Sequence, residues 1–236
     1  MNRHKNPALR VFLIALLASL PLVWTGCAHE PRPPAEMPAV VQNGKKVAFL
    51  GFKAAQPVDR TTDVIRDPFS GSLFSYDPVP PEAIDRLNRM IMNHLVMLGD
   101  NVIPPEESGD FLSSEMGKDI QAKLTLPELY REVGRAMETD GVLFGHVYRW
   151  NEREGTNYAV DRPASAAFDL NLVRSSDGAL VWRGKFDRTQ RSLSENMFDF
   201  FRFFKRGARW LEVDEFAASG LDDMFRNYPA TMPPER

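Results

Sequence analysis

The chain has 236 residues, 43% of them hydrophobic and 26% charged, with one cysteine and a formal net charge of −3. A single thiol excludes an internal disulfide framework, and the slight acidity argues against a general binder of nucleic acid or anionic lipid, whose sequence-independent affinity comes from clustered Lys and Arg. About 190 residues from Lys45 onward suffice for one domain with a sizeable core.

Residues 1–26 read as an export signal. Arg3, Lys5 and Arg10 come with no acid, Val11 to Val23 is almost entirely apolar, and small Gly26 precedes Cys27. The 13-residue apolar run falls short of the roughly 20 helical residues that a bilayer needs, and Pro21 interrupts it. A thiol directly after the small residue resembles the bacterial lipoprotein signal, in which Cys27 is acylated and becomes the first residue of the mature chain; Trp24 stands where that signal most often has leucine. A plain secretory signal followed by a stray cysteine is the alternative. Acylation would remove an unpaired thiol from an oxidising compartment. Two or more acyl chains anchor stably where one holds only marginally. Ala28 rather than Asp after the cysteine resembles sorting to the outer membrane, with the body facing the periplasm. Loss of residues 1–26 removes three positive charges and no negative one, so 26 Lys and Arg stand against 32 Asp and Glu and the net charge becomes −6.

Residues 27–44 hold Pro31, Pro33, Pro34 and Pro38. Such a run favours extended polyproline conformation at ~3.1 Å per residue and builds no core, so it reads as a stiff tether. From Ala28 to Gly44 it spans at most ~60 Å.

The folded domain is expected over 45–236. KKVAFLGF, Lys45 to Phe52, reads as a buried strand. Residues 54–80, with Pro57, Asp67-Pro68, Gly71 and a proline cluster, read as a long loop in which Phe69, Phe74 and Tyr76 pack against something or form a partner surface. Pro81 opens a helix whose Ile84, Leu87, Ile91, Leu95 and Leu98 recur at three- and four-residue spacing, and Gly99 closes it. NVIPP then reads as a short strand. A short helical piece is expected around Glu115 to Leu124. Thr125 and Glu128 form a capping box for a second helix, with Pro127 in its first turn and Leu129, Val133 and Met137 facing inward.

GVLFGHVYRW, Gly141 to Trp150, is the strongest strand pattern; strict alternation puts Val142, Phe144, His146, Tyr148 and Trp150 on one face. Ala166 to Arg174 follows as a strand, with Ala166, Phe168, Leu170 and Leu172 opposite Ala167, Asp169, Asn171 and Val173. Ser175 to Gly178 makes a hairpin turn. The return strand sets Leu180, Trp182 and Phe186 against Arg183, Lys185 and Asp187, completing a three-stranded antiparallel meander. Helices are expected at about 194–206 and 213–227. The whole reads as α/β (α+β): one mixed sheet carrying the meander, with helices packed on it.

KKVAFLGF, LGDNVIPPEE, ETDGVLFGHVYRW and FDLNLVRSSDGALVWRGKF resemble, in that order, segments of a group of envelope proteins. The group comprises the outer-membrane lipoprotein that activates a peptidoglycan synthase, the curli secretion lipoprotein, and the amino-terminal domain of the Tol-system β-propeller protein. The resemblance covers most of 45–190 and implies a fold more strongly than a function. It implies a non-catalytic lipoprotein working by protein contacts in envelope assembly or transport, with synthase activation or an oligomeric secretion channel as alternatives.

Catalytic patterns such as a GxSxG elbow, HExxH, a CxxC pair or a phosphate-binding glycine loop are absent, so no catalytic residue, cofactor or metal is assigned. His94 and His146 would need carboxylate help to hold a metal, and His146 reads foremost as a hydrogen-bonded strand histidine. Glu106, Glu107, Asp110 and Asp119 read as a solvated loop. MFDFFRFFKRGARW is the most unusual stretch: Phe198, Phe201 and Phe204 with Arg202 and Trp210 could cover the core, lie on a membrane or mediate self-association. The expected partners are the outer membrane through the lipid, an unidentified envelope protein and a second copy of the chain.

Overall fold

The computed structural model describes residues 44–57, 63–67, 69–114, 123–155, 160–190 and 211–235. Cys27, the tether up to residue 43, Asp119, residues 115–122 of the helical piece expected around 115–124, and the phenylalanine-rich stretch with Phe198, Phe201, Arg202, Phe204 and Trp210 lie outside them; Lys123 and Leu124, at the end of that expected piece, are not helical.

Strand β1 (Lys46–Ala54) is buried over its first two thirds, as expected of an apolar run in the interior of a sheet. It pairs in parallel with β4 (Asn101–Ile103) on one side and β5 (Gly141–Asn151) on the other. Strands β8 (Ser165–Arg174) and β9 (Leu180–Thr189) extend the sheet antiparallel, giving the order β4-β1-β5-β8-β9. This is the expected single mixed sheet with its meander. Two short ribbons stand apart from it: β2 (Val64–Arg66) with β3 (Leu73–Ser75), and β6 (Glu154–Gly155) with β7 (Val160–Arg162). The first corrects the reading of 54–80 as an unstructured loop; Gly71, at φ +70, lets the intervening turn close.

Helix α1 (Pro81–Met97) buries Ala83, Leu87, Ile91 and Leu95, a four-residue repeat that forms one stripe. Leu98 does not continue it. The helix stops at Met97, Gly99 turns away at φ +81, and Val96, Met97 and Leu98 are left exposed at 60%, 75% and 51%. Helix α2 (Pro105–Ser114) was missed by the sequence reading, which placed Glu106, Glu107 and Asp110 in a loop. Both glutamates occupy its first turn, where the helix dipole favours negative charge. Helix α3 (Leu126–Ala136) begins as expected: the Glu128 carboxylate accepts the Thr125 N–H at 2.9 Å and its hydroxyl at 2.7 Å. Those two hydrogen bonds hold the Glu128 carboxyl below its ordinary range. Helix α4 (Val213–Phe225) ends the described chain's regular structure.

Helices α1 and α4 cover one face of the sheet. Their stripes meet Val47, Phe49, Leu143, Val147, Phe168, Leu170, Leu172, Trp182 and Phe186 in the larger core. The other face is shared. Leu129, Tyr130 and Val133 of α3 and Leu112 of α2 pack on Ala48, Leu50, Val142, Phe144 and Val173, while the β2–β3 hairpin lays Phe74 and Ile65 over Tyr148 and Ala167. Burial on both faces makes β8 the hydrophobic centre, each large apolar side chain contributing ~1.5–3 kcal/mol.

Two register breaks correct the strict alternation expected of the strands. In β5 the pairing with β8 skips between Val147 and Arg149, so Trp150 joins Leu143 and Val147 in the larger core and Arg149 turns to the hairpin side. In β9 a break beside Leu172 and Val173 leaves Leu180 40% exposed instead of inward with Trp182.

Candidate functional site

The hairpin face of the sheet carries polar groups that a hydrophobic core does not need. Asp169 and Asn171 lie on β8 at 1% and 0% exposure, and His146 sits directly across from Asp169 on β5. Asp67, immediately after β2 and fully buried, comes down from the hairpin. Its backbone closes the turn through Asp67 N–H to Ser72 O and Gly71 N–H to Asp67 O, and its Oδ2 accepts the Ser70 N–H at 2.6 Å. The turn therefore fixes the carboxylate in place.

Asp67 and Asp169 share one hydroxyl. Tyr148 Oη is 3.2 Å from Asp67 Oδ1 and 3.4 Å from Asp169 Oδ2, both long for an O–H donor whose single proton serves one acceptor at a time. Asp169 also accepts the His146 backbone N–H at 3.0 Å and the Asn171 amide at 3.3 Å. Burial, together with the charges of Asp169 and Asp67, pushes the Tyr148 phenol far above its ordinary value.

His146 Nδ1 points at this pair, 3.7 Å from Asp169 Oδ1 and 4.0 Å from Asp67 Oδ1. These separations are too long for hydrogen bonds, and Nδ1 is shielded from solvent with no partner, although the side chain as a whole is 20% exposed. The nearby cations are engaged elsewhere. Arg149 bonds Ser165, Ser75 O and Asp187, Lys185 bonds Leu73 O over the Phe74 ring, and Arg66 bonds Gly71 O. Among the described residues, no Lys or Arg pairs with either aspartate. One ligand atom from each of Asp67, His146 and Asp169 lies within 4.8 Å of the others. Two carboxylate charges at that separation repel by about 3.5 kcal/mol at an effective dielectric near 20, so the site favours a positive charge placed between them.

The site corrects one part of the sequence reading: His146 is unpaired at Nδ1 rather than hydrogen-bonded through it. The carboxylates that a metal at His146 would need, whose distance the sequence left open, are those of Asp67 and Asp169. Asp67 was visible only as part of an Asp-Pro loop signal. The clue in the sequence was Asp169 and Asn171 inside AAFDLNLV, residues 166–173, a run otherwise apolar on both faces.

The other candidates go elsewhere. His94 bonds Asp222 at 3.0 Å and Met90 O at 2.9 Å and stacks on Phe225, tying α1 to α4. Phe74 is a core residue rather than a partner surface, 1% exposed and stacked on Tyr148 with centroids 3.8 Å apart. Phe69 packs edge-on against Phe144 and beside Tyr130, half-buried; Tyr76 is also half-buried. Glu106 and Glu107 are exposed and remote in sequence from the site. A shallow groove of about 290 Å³ includes Arg135, Glu138, Arg174 and Met232 and none of the three converging residues. No helix among the described residues is long and apolar enough to cross a membrane.

No family model matches the chain, and no curated protein matches it. Among solved structures, a lipoprotein of Neisseria meningitidis is similar at 13% identity over 73% of this chain and 98% of that one, with a TM-score of 0.40. The PelC dodecamer of Paraburkholderia phytofirmans is similar at 16% identity over 77% and 85%, TM-score 0.41. The LpoB C-terminal domain of Escherichia coli is similar at 12% identity over 62% and 84%, TM-score 0.34. Identities and scores this low leave the activities and assemblies of those proteins their own.

Proposed function

We propose that this chain is an outer-membrane lipoprotein, held by an acylated Cys27 and a proline-rich tether, whose periplasmic domain works without catalysis by contacting other envelope proteins. The observation that carries the reading is the position of the only cysteine, between a short export signal and the tether that leads into β1. Two features support it. The mature charge of −6 suits a body that stays off an anionic bilayer surface. The apolar residues Val96, Met97 and Leu98, exposed together at the end of α1, supply surface of the kind that protein contacts cover. Activation of a cell-wall synthase is a narrower version, and the ~60 Å limit on tether length makes its inward reach demanding. The long described strands do not suit a secretion channel's lipid-facing wall, because β5 and β8 are buried on both faces and β9 exposes Arg183, Lys185 and Asp187.

The test has two arms. Cells making the wild-type chain are labelled with a radioactive or alkynyl fatty acid and fractionated; label in the protein and its release to the soluble fraction by Cys27→Ser are expected. Crosslinking in living cells followed by mass spectrometry is expected to capture an envelope protein. An unmodified thiol at Cys27 would overturn the anchor, and a strictly uncrosslinked monomer would overturn the contact role.

A further inference from the structure

We infer that Asp67, His146 and Asp169 form a binding site for one divalent first-row transition-metal ion, of the Zn²⁺ or Mn²⁺ class. The donor set is one imidazole nitrogen and two carboxylate oxygens, which suits such ions better than the all-oxygen preference of Ca²⁺ and Mg²⁺. The three residues come from three places: the β2–β3 turn, β5 and β8. A cluster of acids gathered by chance on one surface would not leave a shielded imidazole nitrogen unpartnered and facing two buried carboxylates.

The distances are close to what a metal requires. A triangle of donors with sides of 3.7 Å, 4.0 Å and up to 4.8 Å has its centre about 2.5 Å from each corner. Each donor therefore has to move inward by about 0.4 Å to reach the ~2.1 Å of a bound ion. The larger share of this adjustment falls to Asp67 together with its turn, because the β2–β3 ribbon is paired separately from the central sheet. The outer contacts a metal site needs are also present. Ser70 N–H holds the second oxygen of Asp67, and Tyr148 and Asn171 hold that of Asp169, so each carboxylate keeps its other oxygen oriented toward His146. Three protein ligands leave the remaining positions to water, reached from the exposed side of His146.

Binding at this site would join the hairpin to the sheet, with a consequence beyond metal content. In the metal-bound protein, residues 63–77 would be drawn down on β5 and β8. With the metal removed, the two carboxylates would be held only by the hydrogen bonds above.

The experiment uses full-length lipidated protein in detergent, so that a free Cys27 thiol does not compete for metal. The protein is stripped with a chelator and equilibrated separately with Zn²⁺, Mn²⁺ and Ca²⁺. Bound metal is measured by plasma mass spectrometry after dialysis, and affinity by competition with a chromogenic chelator. One equivalent of Zn²⁺ or Mn²⁺ is expected, with Ca²⁺ bound at least 100-fold more weakly. Asp67→Asn, His146→Gln and Asp169→Asn should each weaken binding at least 10- to 100-fold, and His94→Gln should leave it unchanged. Hydrogen exchange of 63–77 should slow on metal addition in the wild type and His94→Gln alone. Melting of each metal-free variant reports whether it folds, and since the three ligands sit on separate elements, any two folded variants decide. Absence of stoichiometric binding, binding untouched by the three substitutions, or equal loss in His94→Gln would overturn the assignment.

Discussion

Lys45 Nζ and the Asp100 carboxylate meet at 2.9 Å with side-chain exposures of only 3% and 1%. The same ammonium donates to Pro229 O at 2.7 Å and lies 4.1 Å over the Tyr228 ring, so it binds the start of β1 to the C-terminal tail. Asp100 thus has the buried cation that Asp67 and Asp169 lack. Replacing Lys45 with Met should strand a buried carboxylate and cost about 3–5 kcal/mol. Asp100→Asn added to that variant should recover part of the loss. Urea unfolding followed by circular dichroism measures both, and a Lys45→Met chain of wild-type stability would refute the expectation.

Three phenols make stability sensitive to alkali. Burial, then the charges of Asp169 and Asp67, raise Tyr130 and Tyr148; burial, then Asp100, raises Tyr228. Each folded-state value lies above the unfolded one near 10, so the stabilisation is complete below about pH 10. Above it the unfolded chain loses protons that the folded one keeps. Stability should then fall with rising pH by about 1.4 kcal/mol per pH unit for each phenol. Tyr130→Phe preserves the stacking on Phe144, at 3.9 Å between centroids, and should reduce that slope by about a third. Urea unfolding in steps from neutral pH to beyond 10 gives the slope directly.

The hairpin rests on Phe74, whose ring lies parallel to Tyr148 within 4°. Phe74→Ala should cost about 3–5 kcal/mol if the hairpin unfolds together with the sheet. If it opens separately, global stability should change little while amide exchange in 63–77 accelerates steeply. Exchange measured alongside urea unfolding distinguishes the two, and a variant altered in neither would remove the hairpin from the core.

Gly145, beside His146 on β5, admits no side chain. A Cβ there would lie 2.4 Å from the Phe52 ring and 2.5 Å from Asp169 O. Gly145→Ala should lose at least ~1–3 kcal/mol and push β8 away at the residue that carries one converging carboxylate. Thermal unfolding reads the loss.

The sheet was legible because its strands declare themselves by composition: KVAFLGF, GVLFGHVYRW and FDLNLV are apolar runs bounded by turn residues. The α1 stripe and the Thr125–Glu128 box were legible for the same local reasons. Alternation failed at Trp150 and Leu180 because each lies beside a register break, and a break depends on what the neighbouring strand does. The β2–β3 ribbon was hidden by its three-residue strands amid prolines. Asp67 could not be foreseen, since its placement against His146 depends on where that ribbon lands, 79 positions earlier in the chain.

If the chain is held through the residues that precede β1, as proposed above, the parallel pairing of β1 on both sides has a mechanical consequence. A pull along that strand from its beginning loads the hydrogen bonds to β4 and β5 across their length, all at once, instead of peeling them open in turn. The Lys45 clamp sits at the point where the force enters. Under the proposed anchoring, a body built this way would resist being unravelled from the end that holds it.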